Sequence, residues 1–331
     1  METQISLCFV LFLLVCRLTD GLQRPFLTPL SKRISHRRYS TMAKDTNSIG
    51  DGTGRSNSIV IFEGLKSDMF AHPADIDIRR QLSNLPFLES FARNVYKNIE
   101  QAMVVDNLGS SILVGPNQMS ALHKTLMKAS KILDMDPPDL YVKQNPTPNA
   151  YTLAYMGKKP FIVIHTGLLD IMDEEEILAV IGHEMGHLKC EHGVWITLLS
   201  LIFDSVSVFV GRLVPVRNLL LRWQRSAEYT GDRAALLVTQ DYRPVVSVLM
   251  KLCGGSSKNT FSQDLNVDAF LEQAKQLEVE QQSLSGGAFM WANDQVATHP
   301  IPIMRATELV AWFKSAQYSG LIRRGKHTAG C

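Results

Sequence analysis

His183-Glu184-Met185-Gly186-His187 is the stretch that decides the fold and the chemistry expected of this chain. An α-helix carries residues i and i+4 on one face, so the two imidazoles can bind one Zn²⁺. The carboxylate of Glu184 can then accept a proton from a water molecule that the metal activates. The stretch therefore predicts part of a metal site on a helix. The alternative is a helix whose two histidines are satisfied by ordinary hydrogen bonds.

The sequence before the motif indicates where this helix begins. Asp173 and Glu176 have the spacing of a capping box, in which each side chain bonds the backbone N–H of the other residue. Apolar residues then recur at helical spacing, at Ile177, Val180, Ile181 and Leu188. We therefore expect an amphipathic helix with the motif in its second half.

A pair of carboxylates further along the chain provides the candidate for a third ligand. Glu228 and Asp232 are four residues apart, so one helix face carries both. Glu228 can bind the metal, and Asp232 can hydrogen-bond a ligating imidazole and fix its orientation. The alternative is an ordinary solvated acidic face.

The longer pattern H-E-x-x-H-x-x-G-x-x-H does not fit this chain. Cys190 stands where the pattern has its glycine, and Gly193 stands where it has its third histidine. His192 follows His187 by five residues, which turns it off the ligand face. We therefore expect His192 at the helix end or behind a ligand, and exclude it from the metal set.

Blocks on both sides of the motif resemble the family-48 zinc metallopeptidases, the gluzincin group of HtpX-like and CAAX prenyl proteases. The resemblance extends over roughly residues 65 to 315 and includes the order of the blocks. It is closer to compact bacterial and plastid members than to the many-spanning prenyl proteases. The blocks outside the motif and the Glu228 segment are Pro148-Asn149-Ala150-Tyr151, Thr166-Gly167-Leu168-Leu169, Thr298-His299-Pro300 and Arg305.

This resemblance implies a zinc metalloendopeptidase with one Zn²⁺ per chain. The implied metal ligands are His183, His187 and Glu228. The implied catalytic base is Glu184, which would take a proton from the attacking water and pass it to the leaving amine. His299 would stand near the oxyanion or behind the ligands, and the alternative is a histidine that caps a loop before a proline.

The remaining sequence predicts an α+β fold that is mainly α, with one small β-sheet beside the metal helix. Three segments rich in β-branched and aromatic residues predict short strands at Leu140–Val142, Tyr151–Met156 and Phe161–His165. The resemblance makes this a zincin-like domain. It also implies that residues 149–151 lie near the edge of the sheet, where a protein or peptide substrate would pair in extended conformation.

Length and composition fit one catalytic domain, predicted at residues 61–320 and followed by a tail at 321–331. The chain has 331 residues, of which 45% are hydrophobic and 20% charged, and its formal net charge is +2. The sequence has no internal repeat, no Gly-rich phosphate loop and no basic stripe with interleaved aromatic residues. We therefore exclude nucleic acid as a partner.

The first sixty residues have the composition of targeting sequences. Ile5–Cys16 is an apolar run of signal-peptide length, and Gly21 is a small residue near a cleavage point. Residues 22–44 contain six Lys or Arg residues and no Asp or Glu, which is typical of a transit peptide. We predict a signal peptide at 1–21, a transit-peptide-like segment and linker at 22–60, and import into a plastid. Secretory or endomembrane residence is the alternative.

A nearly apolar stretch joins the two metal-binding segments. It extends from Val194 to Val210, where Asp204 is the one charged residue, and continues past Arg212 to Leu221. A charge in the middle makes a spanning helix costly, so a buried hairpin or an insertion into a membrane surface fits better. A plain hydrophobic core segment is the alternative.

Three functions from different classes are consistent with the sequence. The first is a zinc metalloendopeptidase for protein quality control or for turnover of membrane-associated proteins. The second is a zinc hydrolase of a non-peptide amide, and the third is a catalytically silent, membrane-associated scaffold. The intact Glu184 argues against the scaffold, since a scaffold does not need a base.

Overall fold

Helices make up most of the structure, a computed structural model that describes residues 58–83, 105–153, 159–193, 195–196, 214–255, 264–294 and 299–329. Residues 59–200 and 219–328 form one compact unit, which contains every residue of the site described below. The second unit comprises residues 1–58, 201–218 and 329–331 and is almost entirely outside the described residues. The predicted targeting segments and most of the apolar stretch after Val194 also lie outside them.

Eleven main helices are described in the chain. They are α1 (Ser67–Phe70), α2 (Pro73–Ser83), α3 (Ser120–Ile132), α4 (Thr166–Leu169), α5 (Glu174–Lys189), α6 (Val214–Thr239), α7 (Tyr242–Gly254), α8 (Val267–Gln281), α9 (Leu284–Asp294), α10 (Pro302–Phe313) and α11 (Ala316–Arg324). Helix α5 contacts α3, α7 and strand β4 (Ala150–Leu153). No helix in the described ranges is both long and apolar enough to cross a membrane.

A four-stranded sheet lies beside α5. Its order is β2 (Ser111–Leu113), β3 (Asp139–Lys143), β5 (Phe161–His165) and β4, with β3 and β5 parallel and the two outer strands antiparallel to their neighbours. All five residues of β5 are buried, as expected for a β-branched run in the middle of a sheet. Strand β4 is therefore an edge strand that contacts the metal-motif helix.

The capping box predicted at the start of α5 is confirmed. Oδ1 of Asp173 accepts a hydrogen bond from the backbone N–H of Glu176 at 2.9 Å, and Oε2 of Glu176 accepts one from the N–H of Asp173 at 2.8 Å. These reciprocal bonds satisfy N–H groups that a helix start leaves without partners. Because the start of α5 is fixed, so is the face on which His183 and His187 lie.

The mainly α, α+β fold with a small sheet beside the motif helix is confirmed. The three predicted strands are present, although β4 is described only as far as Leu153. The expectation of a single sheet is wrong, because β1 (Ser58–Ile61) and β6 (Lys326–Ala329) form a second, two-stranded sheet. The two strands are far apart in sequence, so no local pattern links them. The predicted domain boundaries stay a prediction.

Candidate active site

Helices α5 and α6 bring the three predicted metal ligands together. Nε2 of His183 lies 3.1 Å from Nε2 of His187 and 3.6 Å from Oε2 of Glu228. Nε2 of His187 lies 3.8 Å from Oε1 of Glu228. Donor atoms bound tetrahedrally to zinc at typical distances are about 3.3 Å apart. Two imidazoles and a carboxylate at this separation fit a zinc site that keeps a fourth position for water or substrate.

Small residues allow the two helices to approach so closely. A Cβ on Gly231 of α6 would lie 2.6 Å from Cε1 of His183. A Cβ on Gly186 of α5 would lie 2.6 Å from Cβ of Ala234. The helices therefore contact each other through bare backbone at this level, and the ring of His183 lies directly over Gly231.

Asp232 and Arg305 surround the His183 side of the site. Nδ1 of His183 lies 3.2 Å from Oδ1 of Asp232, which is the contact expected from a group that orients an imidazole. The guanidinium of Arg305 donates to Asp232 from Nε at 2.9 Å and from Nη2 at 2.6 Å. Nη1 of Arg305 lies 2.9 Å from Oε2 of Glu228. One buried cation thus bridges two carboxylates on consecutive turns of α6.

Burial and neighbouring charges shift the pKa values of the three proposed ligand residues in different directions. Burial would raise the pKa of Glu228, but Arg305, His299 and the two imidazoles hold it well below its usual value. Burial lowers the pKa of His187 well below normal, with a further contribution from His183. Burial also favours a lower pKa for His183, but Asp232 and Glu228 outweigh it and the pKa is raised. Glu228 is thus ionised and His187 neutral, the forms in which these groups bind metals.

Glu184 has a different environment from the other carboxylates. Its side chain is buried, and this burial raises its pKa to about 7, with a further increase from the charge of Glu228. Glu184 also lines the cavity that contains the ligand atoms. A carboxyl group with a pKa near neutrality can both accept and return a proton.

His299 lies on the open side of the site. Its Nδ1 is 3.0 Å from Oε1 of Glu228, and 68% of its side chain is exposed. The hydrogen bond to Glu228 raises the pKa of His299. Thr298, the residue before it in the predicted motif, is outside the described residues. The contact joins His299 to a ligand group, and its exposed ring borders the cavity.

The cavity over these residues has a volume of about 450 Å³. Asn149 and residues 150–152 of the edge strand β4 form part of its border, and Val180, Val245 and Leu249 contribute an apolar wall. Polar groups converge at one end, where His183, His187, Glu184 and Glu228 meet. An apolar cleft with a few convergent polar groups is typical of a site that binds and transforms a ligand.

A second group of buried residues lies behind His187, and most of it was missed by sequence reasoning. His192 contacts His187 and Asp75, and Asp75 in turn contacts Trp223 and Thr230. Asp75 is more than one hundred positions from His192 in the chain, so no spacing rule links them. The bridging role of Arg305 was also missed, since the residue was noted only as part of a family block.

Residues 116–313 match the family described as Peptidase family M48. The chain is 46% identical over 271 residues to "Plastoglobule-localized metallopeptidase 48, chloroplastic" of Arabidopsis thaliana, covering 80% of this chain and 78% of that protein. It is 26% identical over 118 residues to "Protease HtpX" of Idiomarina loihiensis, covering 35% of this chain and 41% of that protein. The crystal structure of S. mikatae Ste24p aligns with a TM-score of 0.39 at 14% identity, covering 72% of this chain and 62% of that one.

Proposed function

The chain belongs to peptidase family M48, and we propose that it is a zinc-dependent metalloendopeptidase in which Glu184 is the catalytic base. Membership of the family makes it a metal-dependent protease with protein or peptide substrates. The proposal adds the identity of the metal, the roles of the residues and cleavage within a chain. Its main support is the convergence of His183, His187 and Glu228 within 4.8 Å of one another, with Glu184 in the same cavity.

His183, His187 and Glu228 are the proposed ligands. Two imidazole nitrogens and a carboxylate oxygen are the donors that a catalytic zinc site uses. The three atoms lie 3.1 Å, 3.6 Å and 3.8 Å apart, close to the separation of about 3.3 Å expected for tetrahedral ligands. When bound, zinc polarises a substrate carbonyl and lowers the pKa of a water molecule. Asp232 orients His183 through Nδ1, and Arg305 keeps Asp232 and Glu228 ionised.

Glu184 is the proposed proton carrier. It accepts a proton from water as the oxygen attacks the peptide carbonyl, and it then donates that proton to the leaving amine. The buried position that raises its pKa to about 7 suits both steps. His299 is proposed to donate a hydrogen bond to the developing oxyanion, since its exposed ring borders the cavity next to Glu228.

Strand β4 is the proposed substrate-binding edge. The backbone N–H of His165 donates to the carbonyl of Asn149 at 3.0 Å, so Asn149 directs its backbone groups toward β5. Because direction alternates along a strand, Ala150 and Thr152 direct theirs away from the sheet. An extended peptide can pair with these free groups and lie across the cavity.

The proposed location is a plastid, with activity in quality control or turnover of membrane-associated proteins. The Arabidopsis relative is named as a chloroplastic, plastoglobule-localized protein, and this name supports the location. The acidic-poor composition of residues 22–44 supports import by a bipartite targeting sequence at residues 1–60. A fluorescent fusion of residues 1–60 should enter plastids, and retention in the endoplasmic reticulum would contradict this part of the proposal.

Two other functions are compared with this proposal. A zinc hydrolase of a non-peptide amide needs the same ligands and base, and a screen of small amides against peptides distinguishes it. A membrane-associated scaffold has no need of Glu184, so retention of this carboxyl group in the cavity favours an enzyme.

The deciding experiment measures zinc content and casein cleavage by the full-length protein and by Glu184→Gln. We expect one zinc per chain in both, and cleavage by the parent alone, because glutamine cannot accept the proton. His183→Ala should lose both zinc and cleavage. Normal cleavage by Glu184→Gln would disprove the assigned mechanism.

A further inference from the structure

Two buried side chains, His192 and Asp75, continue in a line behind the proposed ligand His187. Nδ1 of His187 is 2.9 Å from Nδ1 of His192, and Nε2 of His192 is 3.0 Å from Oδ2 of Asp75. His192 is 1% exposed and Asp75 is 0% exposed, so water does not compete for these contacts. The line thus runs from the metal-facing imidazole of α5 to a carboxylate of α2.

Asp75 is held in an ionised and fixed state. Its Oδ1 accepts a hydrogen bond from Nε1 of Trp223 at 2.8 Å, and its Oδ2 lies 2.9 Å from Oγ1 of Thr230. Burial alone would raise the pKa of Asp75, but His192, Arg79 and Trp223 outweigh it and lower the pKa to about 2. A carboxylate without a proton can only accept, so Nε2 of His192 must donate to it.

The position of the proton on His187 follows from this direction. A neutral imidazole with its proton on Nε2 has an acceptor at Nδ1. In a neutral His192, Nδ1 therefore accepts from Nδ1 of His187, and the lone pair of His187 is then on Nε2. This is the atom that lies 3.1 Å from Nε2 of His183. His183 has its proton on the same ring nitrogen, because its Nδ1 lies next to Oδ1 of Asp232.

We propose that His192 is a positioning residue, which is held by Asp75, accepts the Nδ1 proton of His187 and thereby keeps Nε2 of His187 available to the metal. This inference rests on the proposed role of His187 as a ligand. Each imidazole of the site then has a fixed tautomer, His183 through a direct carboxylate and His187 through a second imidazole. Outer groups of this kind set ligand orientation and basicity.

The residues around His192 fit a second metal site less well than they fit this positioning role. Asp75, Cys190 and His192 offer donor atoms within 4.8 Å of one another. However, hydrogen bonds already occupy the donor atoms of Asp75 and His192. Burial also raises the pKa of the Cys190 thiol, which disfavours the thiolate that binds metals. We therefore expect one zinc per chain, and a stoichiometry of two would overturn the inference.

The test compares the full-length parent with His192→Phe and His192→Gln. Phenylalanine keeps a ring beside Trp223 but has no hydrogen-bonding atoms, whereas glutamine can accept with its oxygen and donate with its nitrogen. Zinc affinity is measured by competition with a chelator, and kcat and KM are measured at saturating zinc. We expect His192→Phe to bind zinc about 10 to 100 times more weakly, with KM unchanged, and His192→Gln to recover most of the affinity.

His165→Phe is the matched control. His165 is also buried, and its Nδ1 lies 3.1 Å from the backbone carbonyl of Thr147 instead of next to an imidazole. Its replacement should lower stability and leave zinc affinity unchanged. If His192→Phe behaves in the same way, His192 is a structural residue and the inference is wrong. Failure of the proposed function is distinct, because the parent itself would then bind no zinc or Glu184→Gln would cleave normally.

NMR of the histidine ring nitrogens gives an answer that does not depend on a folded variant. Long-range proton–nitrogen correlations in the metal-free parent report which nitrogen of His187 has the proton. The inference expects this proton on Nδ1. A proton on Nε2 of His187 would overturn it, whatever the variants do.

Discussion

Arg305 contacts Glu228 through Nη1 at 2.9 Å, although the two residues lie on different helices and are both largely buried. The same guanidinium contacts Asp232 at 2.6 Å. Burial would lower the pKa of Arg305, but the two carboxylates outweigh it and raise the pKa. The cation thus fixes one proposed ligand and the residue that orients another.

Arg305→Met should weaken both zinc binding and folding. Two buried carboxylates would lose their cation, and loss of one partner from a buried ion pair costs about 3–5 kcal/mol. We expect a loss of that order in the free energy of unfolding and a fall of about 10 to 100-fold in zinc affinity. Chemical denaturation and chelator competition measure the two effects.

Arg243→Met is the matched control for Arg305→Met. Arg243 also pairs with an aspartate, Asp268 at 3.3 Å, but both side chains are more than half exposed. Exposed ion pairs contribute about 0–1 kcal/mol, so this variant should differ little from the parent. Equal losses from the two arginine variants would contradict the role given to Arg305.

Gly231→Ala should damage the site while leaving the fold intact. The added methyl group would lie 2.6 Å from Cε1 and 2.7 Å from Nδ1 of His183, so the ring must move away from Asp232. We expect a fall of about 10-fold or more in zinc affinity and in kcat/KM. Circular dichroism and zinc competition test these two parts separately.

Gly320→Ala is the control for the glycine substitution. Gly320 is in α11, and a Cβ there would meet nothing within 4 Å. Alanine in a helix interior is favoured over glycine by about 0.5–1 kcal/mol, so this variant should be slightly more stable than the parent. Unchanged zinc affinity in Gly231→Ala would contradict the close-approach argument.

Local signals in the sequence were sufficient to predict the centre of the fold. The capping box at Asp173 and the i, i+4 spacing of His183 and His187 are properties of one helix, and both can be recognised without tertiary information. The strand at Phe161–His165 is likewise a short run with strong β preference. Such features depend on neighbours within a few residues.

Apart from Asp232, the groups around the ligands could not be predicted in the same way. The contact of Asp75 with His192 and the bridge from Arg305 to Glu228 join residues that only the packing of separate helices brings together. The small sheet of β1 and β6 has the same cause, since its strands are near opposite ends of the described chain. Their sequences have ordinary composition, so no local pattern marks them.

Thr152→Pro should weaken substrate binding more than it affects zinc. Proline removes a backbone N–H that is directed away from the sheet, and an edge strand tolerates this loss better than a central one. We expect a rise in KM for peptide substrates with unchanged zinc affinity. Thr152→Val is the control, because it keeps the N–H and loses only the side-chain hydrogen bond to Phe161. Equal KM values for both variants would disprove pairing at this position.

We expect His72 to lower the stability of the folded protein as the pH falls below neutrality. Burial, with a further contribution from Arg233, lowers its pKa from 6.5 to about 3, against the attraction of Asp75. Below pH 6.5 the His72 side chain is protonated in the unfolded chain but stays neutral in the folded protein. The free energy of unfolding therefore falls by about 1.4 kcal/mol per pH unit because of this residue. We expect His72→Gln to lose less stability than the parent between neutral pH and mildly acidic pH, as measured by urea unfolding. If the free energies of unfolding of the two proteins changed in parallel with pH, His72 would not have the lowered pKa in the folded protein.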